Sequence, residues 1–194
     1  MTLRMADADI LPFDFSGFTD NVAKFEKEVE ELADKMREET DRLNELITSG
    51  TYDYTLDPTK ELKPPAVKDP VPFLNFASLQ NALTNLEKSA AKYAELAAAN
   101  PKPNTNMAEL NKLLYQAEQK LLSPAGLPRR PWFRHTIYAP GFYTGYGVKT
   151  LPGIREAIEQ RNWKEAQEQV EIAASAIEAY TRQVDAATKI LMMK

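Results

Sequence analysis

The chain has 194 residues, 43% hydrophobic and 27% charged, with 24 basic and 28 acidic side chains that leave a net charge of −4. This is ordinary globular composition, sufficient to bury a core, and the charge is spread in a way that excludes a broad electropositive footprint for nucleic acid. Cysteine is absent and histidine occurs once, which excludes disulfides, thiolate metal sites and a His-rich zinc centre.

No apolar run approaches the roughly 18 residues of a membrane helix, and the opening MTLRMADADI has neither an apolar leader core nor a cleavage signal. Residues 1–15 form a short apolar and acidic stretch stopped by Pro12, expected to pack against a neighbouring structure; Ser16 then stands where a helix N-cap would. Phe18, Val22, Phe25, Val29, Leu32, Met36, Leu43 and Leu46 follow at intervals of three, four or seven, a heptad seam that predicts a helix over 17–49. Its opposite face carries Glu31 with Lys35 and Glu38 with Arg42 at i,i+4 and reads as a solvated surface. Gly50 stops that helix, and 51–72, with five prolines and no period, reads as an extended connection lying over the rest.

A second seam, Phe76, Leu79, Leu83, Leu86, Ala90, Tyr93 and Ala97, predicts a helix over 73–99, ended by the NPKPN of 100–104. Met107, Leu110, Leu114, Ala117 and Leu121 predict a third over 106–122. After a long interval, Pro152 can open a short helix carrying Ile154, Ala157 and Ile158. Asn162 with Glu165 three residues on is a capping-box arrangement, and the stripe from Trp163 to Leu191 predicts a final helix over 162–192. With no strand signal, the fold class is all-α: an up-down-up-down four-helix bundle, with the loop 123–152 set between its third and fourth main helices.

That loop is the informative stretch. Gly126–Ile154 holds Pro128, Pro131, Pro140 and Pro152 together with Trp132, Phe133, Tyr138, Phe142, Tyr143 and Tyr146. A flexible linker would be rich in glycine and serine, whereas fixed φ angles and aromatic surface predict a loop with one shape and a function. Catalysis within the chain is not expected, because there is no GxSxG, no second base to orient His135, and no Glu-x-x-His pair. The cluster Arg129, Arg130, Arg134 and His135 has two readings. Either the arginines pack on aromatics and pair with acidic helices while His135 bonds to backbone, or the loop forms one wall of an anion site.

The segment GLPRRPWFRHTIYAP (126–140), followed by LPGI at 151–154 and preceded by ADADILPFDFSGF at 6–18, resembles the C-terminal helical domain of the transferrin receptor and glutamate carboxypeptidase II family. The resemblance implies a transferrin receptor-like dimerisation domain at 16–194 and, at 1–15, a remnant of the junction with a preceding peptidase domain. It also implies a homodimer, a peptide substrate, and two zinc ions held by the peptidase domain, with no cofactor or metal ligand in this chain. In the family the central loop reaches back to help form the pocket for the substrate's C-terminal residue, where a Lys-Tyr pair contacts a substrate glutamate. Tyr146 falls on that tyrosine and Gly145 stands in the lysine's place, with Lys149 the next cation along. Arg134, His135 and Tyr138 are expected to anchor the loop. The transferrin receptor has lost peptidase activity, so a catalytically silent, ligand-binding relative is the alternative. Nothing in these residues signals a compartment, a membrane segment or a nucleic-acid partner.

Overall fold

The computed structural model describes residues 8–54, 59, 65–99 and 106–193. The NPKPN break, the first seven residues, and 55–58 and 60–64 of the long connection lie outside them. Among the described residues five α-helices carry the fold: α1 (Ser16–Thr48), α2 (Ala77–Ala99), α3 (Met107–Tyr115), α4 (Pro152–Glu159) and α5 (Trp163–Met192). Single-turn 3₁₀ segments follow α1 at Thr51–Tyr54 and α3 at Ala117–Leu121.

Cross-helix contacts give the direction of each helix. Phe15, just before α1, packs edge-on against Tyr93 late in α2 at 4.9 Å, and Gln80 early in α2 donates to Glu30 on α1 at 2.7 Å, so α1 and α2 are antiparallel. Asn75 and Ser78 at the start of α2 bond to Gln167 and Glu171 at the start of α5, at 2.8 and 2.9 Å, so these two are parallel. Gln183 late in α5 donates to the Leu113 carbonyl at 3.0 Å, whereas Lys120 and Leu122 face Ile172 and Ser175 toward the other end; α3 therefore runs against α5. The up-down-up-down order follows. α5 is the hub, and its largest neighbour is α2, where buried Ala82, Ala90, Ala173 and Ala174 let the backbones come close.

Most seam residues are in the core: Val22, Val29, Leu79, Leu86, Leu110, Leu114, Val170, Ile177 and Val184 are all fully buried, whereas Leu43 and Leu46 are half-buried and Met107 is exposed. Phe15 is buried too, and Ile10, Leu11 and Phe13 pack against the same cluster, so residues 10–15 are part of this bundle's own packing. Gly50, with φ of +70°, ends α1 as a left-handed C-terminal residue, and Asn162 accepts from the Glu165 amide at 3.3 Å to start α5.

Several expectations are corrected. Asp14 and not Ser16 supplies the bonds at the start of α1: its carboxylate accepts from the Ser16 amide and hydroxyl, which holds the Asp14 carboxyl below its usual range. α2 begins at Ala77, because Asn75 donates its amide to Gln167 and accepts from the Ala77 amide, keeping 73–76 extended. The third helix tightens to 3₁₀ after Gln116, where the Leu121 carbonyl is taken by the Thr136 amide and hydroxyl. On α1, Lys35 pairs with Glu39 at 3.9 Å and not with Glu31, which takes Lys27. Among the described residues there is also a two-stranded sheet, β1 (Tyr138–Pro140) with β2 (Val148–Thr150), antiparallel with Ala139 opposite Lys149. Three-residue strands are too short for alternation to show in sequence.

Glu26 is an acid in an apolar place. It lies on α1 only 8% exposed, with Oε1 lacking a hydrogen-bond partner, and burial, followed by the nearby Glu30 carboxylate, pushes its carboxyl up to about 7. A carboxyl raised in the folded state favours folding fully below its unfolded value of 4.5, and that contribution is lost as pH rises through about 7. Glu26→Gln is therefore expected to change stability little at pH 5 and to raise it by about 1–2 kcal/mol at pH 8, after allowing for relaxation around the charge. Denaturant titrations at the two pH values check this; equal shifts at both would refute it.

Candidate functional site

The 122–151 segment is folded by its own backbone bonds. Ser123 donates to the Arg134 carbonyl, Leu127 to Phe133 and Leu151 to Ile137, at 2.8, 2.8 and 2.6 Å. Gly126, at φ +71°, makes the reversal that brings Leu127 against Arg130. The β1–β2 hairpin then projects a turn, 141–147, closed by the Gly141 amide on the Gly147 carbonyl at 2.8 Å.

Of the three residues expected to anchor the loop, Arg134 donates Nε to the Ser123 carbonyl at 3.1 Å. His135 accepts at Nδ1 from the Ile137 and Tyr138 amides, at 3.2 and 3.3 Å, so its ring proton is on Nε2, which lies 3.5 Å from Glu118 Oε1. Burial lowers its pKa, outweighing the attraction of Glu118, so the ring is neutral at pH 7. Tyr138 stacks on that ring at 4.2 Å and donates its hydroxyl to Glu118 at 2.5 Å. Burial first, then that bond, pushes the phenol up to about 12.

The structure separates the three residues expected at the pocket. Tyr146 is fully exposed at the tip of the turn. Gly145 beside it, at φ +63°, has no atom within 4 Å of where a Cβ would stand. Lys149 points elsewhere: its Nζ pairs with Glu159 on α4 at 2.5 Å.

The strongest attachment of the loop lies outside that set. Arg130 is 3% exposed, and its Nη2 meets both carboxylate oxygens of Glu156 on α4, at 2.9 and 2.8 Å. Its Nη1 donates to the Pro140 carbonyl at the end of β1, and Glu156 Oε1 also accepts the Phe142 amide at 2.8 Å. Arg129 pairs bidentately with Glu165 at 2.9 Å for each bond, and the Phe142 ring lies 5.7 and 5.8 Å from the Arg129 and Arg130 guanidiniums. The first of the two readings, arginines on aromatics and acidic helices, describes these contacts. The signal for it was three glutamates, Glu156, Glu159 and Glu165, directly after a loop with three arginines and a lysine.

Among the described residues no three His, Asp or Glu side chains come together to hold a metal, and no helix is long and apolar enough to cross a membrane. The site thus defined is a structured loop mounted on an all-α domain. The chain belongs to the transferrin receptor-like dimerisation domain family, whose model matches residues 74–185, more than half of it. It is 27% identical over 184 residues to a probable glutamate carboxypeptidase, LAMP1, of Arabidopsis thaliana, covering 91% of this chain and 22% of that protein. A probable glutamate carboxypeptidase of Arthroderma benhamiae is 30% identical over 140 residues, 69% of this chain and 19% of the relative. A Saccharomyces cerevisiae protein named provisionally as the zinc metalloprotease TRE2 is 32% identical over 75 residues, 34% of this chain and 9% of its own. The chain thus spans about a fifth of the length of the first two.

Proposed function

We propose that this chain is the homodimerisation domain of a zinc-dependent carboxypeptidase, and that its hairpin tip forms part of the pocket for the substrate's C-terminal residue. The observation that carries the reading is Tyr146: a fully exposed phenol at the tip of a hairpin whose base is tied to α4 by buried bonds. An aromatic held out of its own domain on a fixed stem is built to meet something else. The relatives named as carboxypeptidases favour a peptidase parent over a silent receptor-like one. The two zinc ions and the catalytic groups belong to the part of the parent beyond this chain, and zinc draws support from the relative named as a metalloprotease.

In this reading the Tyr146 phenol donates to a carboxylate of the bound peptide, with a charge-assisted bond worth about 1.5–3 kcal/mol in a partly desolvated pocket. Tyr146→Phe in the full-length protein is expected to cost roughly ten- to a hundred-fold in affinity. Specificity constants on peptides with acidic and apolar C-terminal residues check this, and a constant unchanged on every substrate would leave the tip with a purely structural role. Gly145 brings no charge and Lys149 is committed to Glu159, so preference for an acidic C-terminal residue is expected to be weaker than a free lysine would give.

For the dimer, the supporting surface is an apolar groove of about 520 Å³ between α5 and the start of the loop, lined by Leu122, Pro124, Ala125, Ile172, Ala176 and Ala179. Ser175→Arg, which places a cation in that groove, is expected to shift a concentration-dependent dimer to monomer in sedimentation. An unmodified chain that stays monomeric, alone and in the full-length protein, would count against the dimer itself.

A further inference from the structure

Helix α4 grips both strands of the hairpin. Glu156 holds Arg130, and through that pair both the Pro140 carbonyl at the end of β1 and the Phe142 amide inside the turn. One turn along the helix, Glu159 holds Lys149 of β2. The Arg130 and Glu156 side chains are 3% and 7% exposed. A buried ion pair adds little net stability over well-packed apolar residues of the same volume. What it adds here is direction, since two hydrogen bonds join Arg130 to Glu156 and one from each reaches Pro140 and Phe142, the residues that bracket the start of the turn.

We propose that Arg130 and Glu156 are positioning residues: the pair sets the direction in which the 141–147 turn presents Tyr146, and thereby the discrimination among C-terminal residues of a peptide substrate. The second half of this rests on the pocket role proposed above. An apolar pair of equal bulk would hold the loop against α4 and leave the Pro140 carbonyl and the Phe142 amide free, so the turn would sample several directions. Holding and aiming are therefore separable.

The test is the double variant Arg130→Met/Glu156→Leu, with Arg130→Lys as the milder companion should the double not fold, because an ammonium keeps the charge but lacks the rigid fork that meets both Glu156 and the Pro140 carbonyl. In the isolated chain, amides of 141–147 are expected to exchange about tenfold faster while those of α5 are unchanged. In the full-length protein, KM for the preferred peptide is expected to rise about tenfold with kcat little changed, and the ratio of specificity constants between acidic and apolar C-terminal residues to move toward one. A merely structural role would lower the active fraction equally for all substrates and leave KM where it was. Unchanged exchange at 141–147 in a folded variant overturns the inference. So does faster exchange with unchanged KM and discrimination where Tyr146→Phe does shift them. If Tyr146→Phe shifts nothing, the pocket reading itself has failed, and the claim about discrimination falls with it.

Discussion

Arg130→Ala is expected to destabilise the domain by about 3–5 kcal/mol, because it leaves the Glu156 carboxylate buried without a counter-charge. Glu156 is 5% exposed and its remaining hydrogen-bond partner is the Phe142 amide, so one neutral donor is left to the carboxylate. The loss is a large fraction of the roughly 5–15 kcal/mol that holds a typical domain together. Glu156→Ala should cost about as much for the converse reason, leaving an unpaired cation. The Arg130→Met/Glu156→Leu double should recover most of the loss, since what is costly is the orphaned charge and not the missing pair. Urea titrations of the parent chain and the three variants compare these losses. A double variant as unstable as either single one would show that the ion pair stabilises the fold in its own right.

The second large effect is expected at Gly126. Its φ of +71° costs an alanine about 1–2 kcal/mol. A Cβ there would also stand 2.5 Å from Pro131 Cα and closer still to the Pro131 carbonyl oxygen. Those are backbone atoms, fixed by the Leu127–Phe133 bond and the short bridge between Leu127 and Arg130, so the reversal cannot relax without opening the base of the loop. Gly126→Ala is accordingly expected to cost at least about 3 kcal/mol. Gly145 provides the comparison: it has nearly the same φ, +63°, but open space where a Cβ would go, and Gly145→Ala should cost only about 1 kcal/mol. Equal melting-temperature shifts for the two variants would refute the argument from the Pro131 contact.

The helices could be read from the sequence because their signal is repeated. Val22, Leu79, Leu86, Ile177 and Val184 lie on stripes with a period near 3.6, and every one of them is buried. The loop's backbone could be placed but not drawn. Its strands are three residues each, and the pair that fixes it, Arg130 with Glu156, is 26 residues apart with no periodic relation to announce it. What sequence supplied for the loop was composition and a family motif, which pointed to Tyr146 and Gly145 and left the ties to Glu156, Glu159 and Glu165 unassigned. Helix starts show the same division. Asn162 was legible because its partner is three residues away, whereas Asn75 was not, because the bond that holds it extended comes from Gln167, 92 positions on.

Because α5 is the hub and the last helix in the order, this domain has an unusual dependence on the direction of synthesis. While the ribosome is still adding residues 163–192, α1, α2 and α3 are already outside the tunnel with Leu79, Leu86, Leu110 and Leu114 lacking the helix that covers them. Their parallel and antiparallel packing on α5 closes contacts across about 90 residues or more for α2 and about 70 for α3. The early helices thus wait as an apolar nascent chain until translation of the segment is nearly complete, the stage at which chaperones have most to hold. A stop codon early in α5 removes the surface on which α2, α3 and α4 assemble, and the expected product is an aggregation-prone chain and not a shortened bundle.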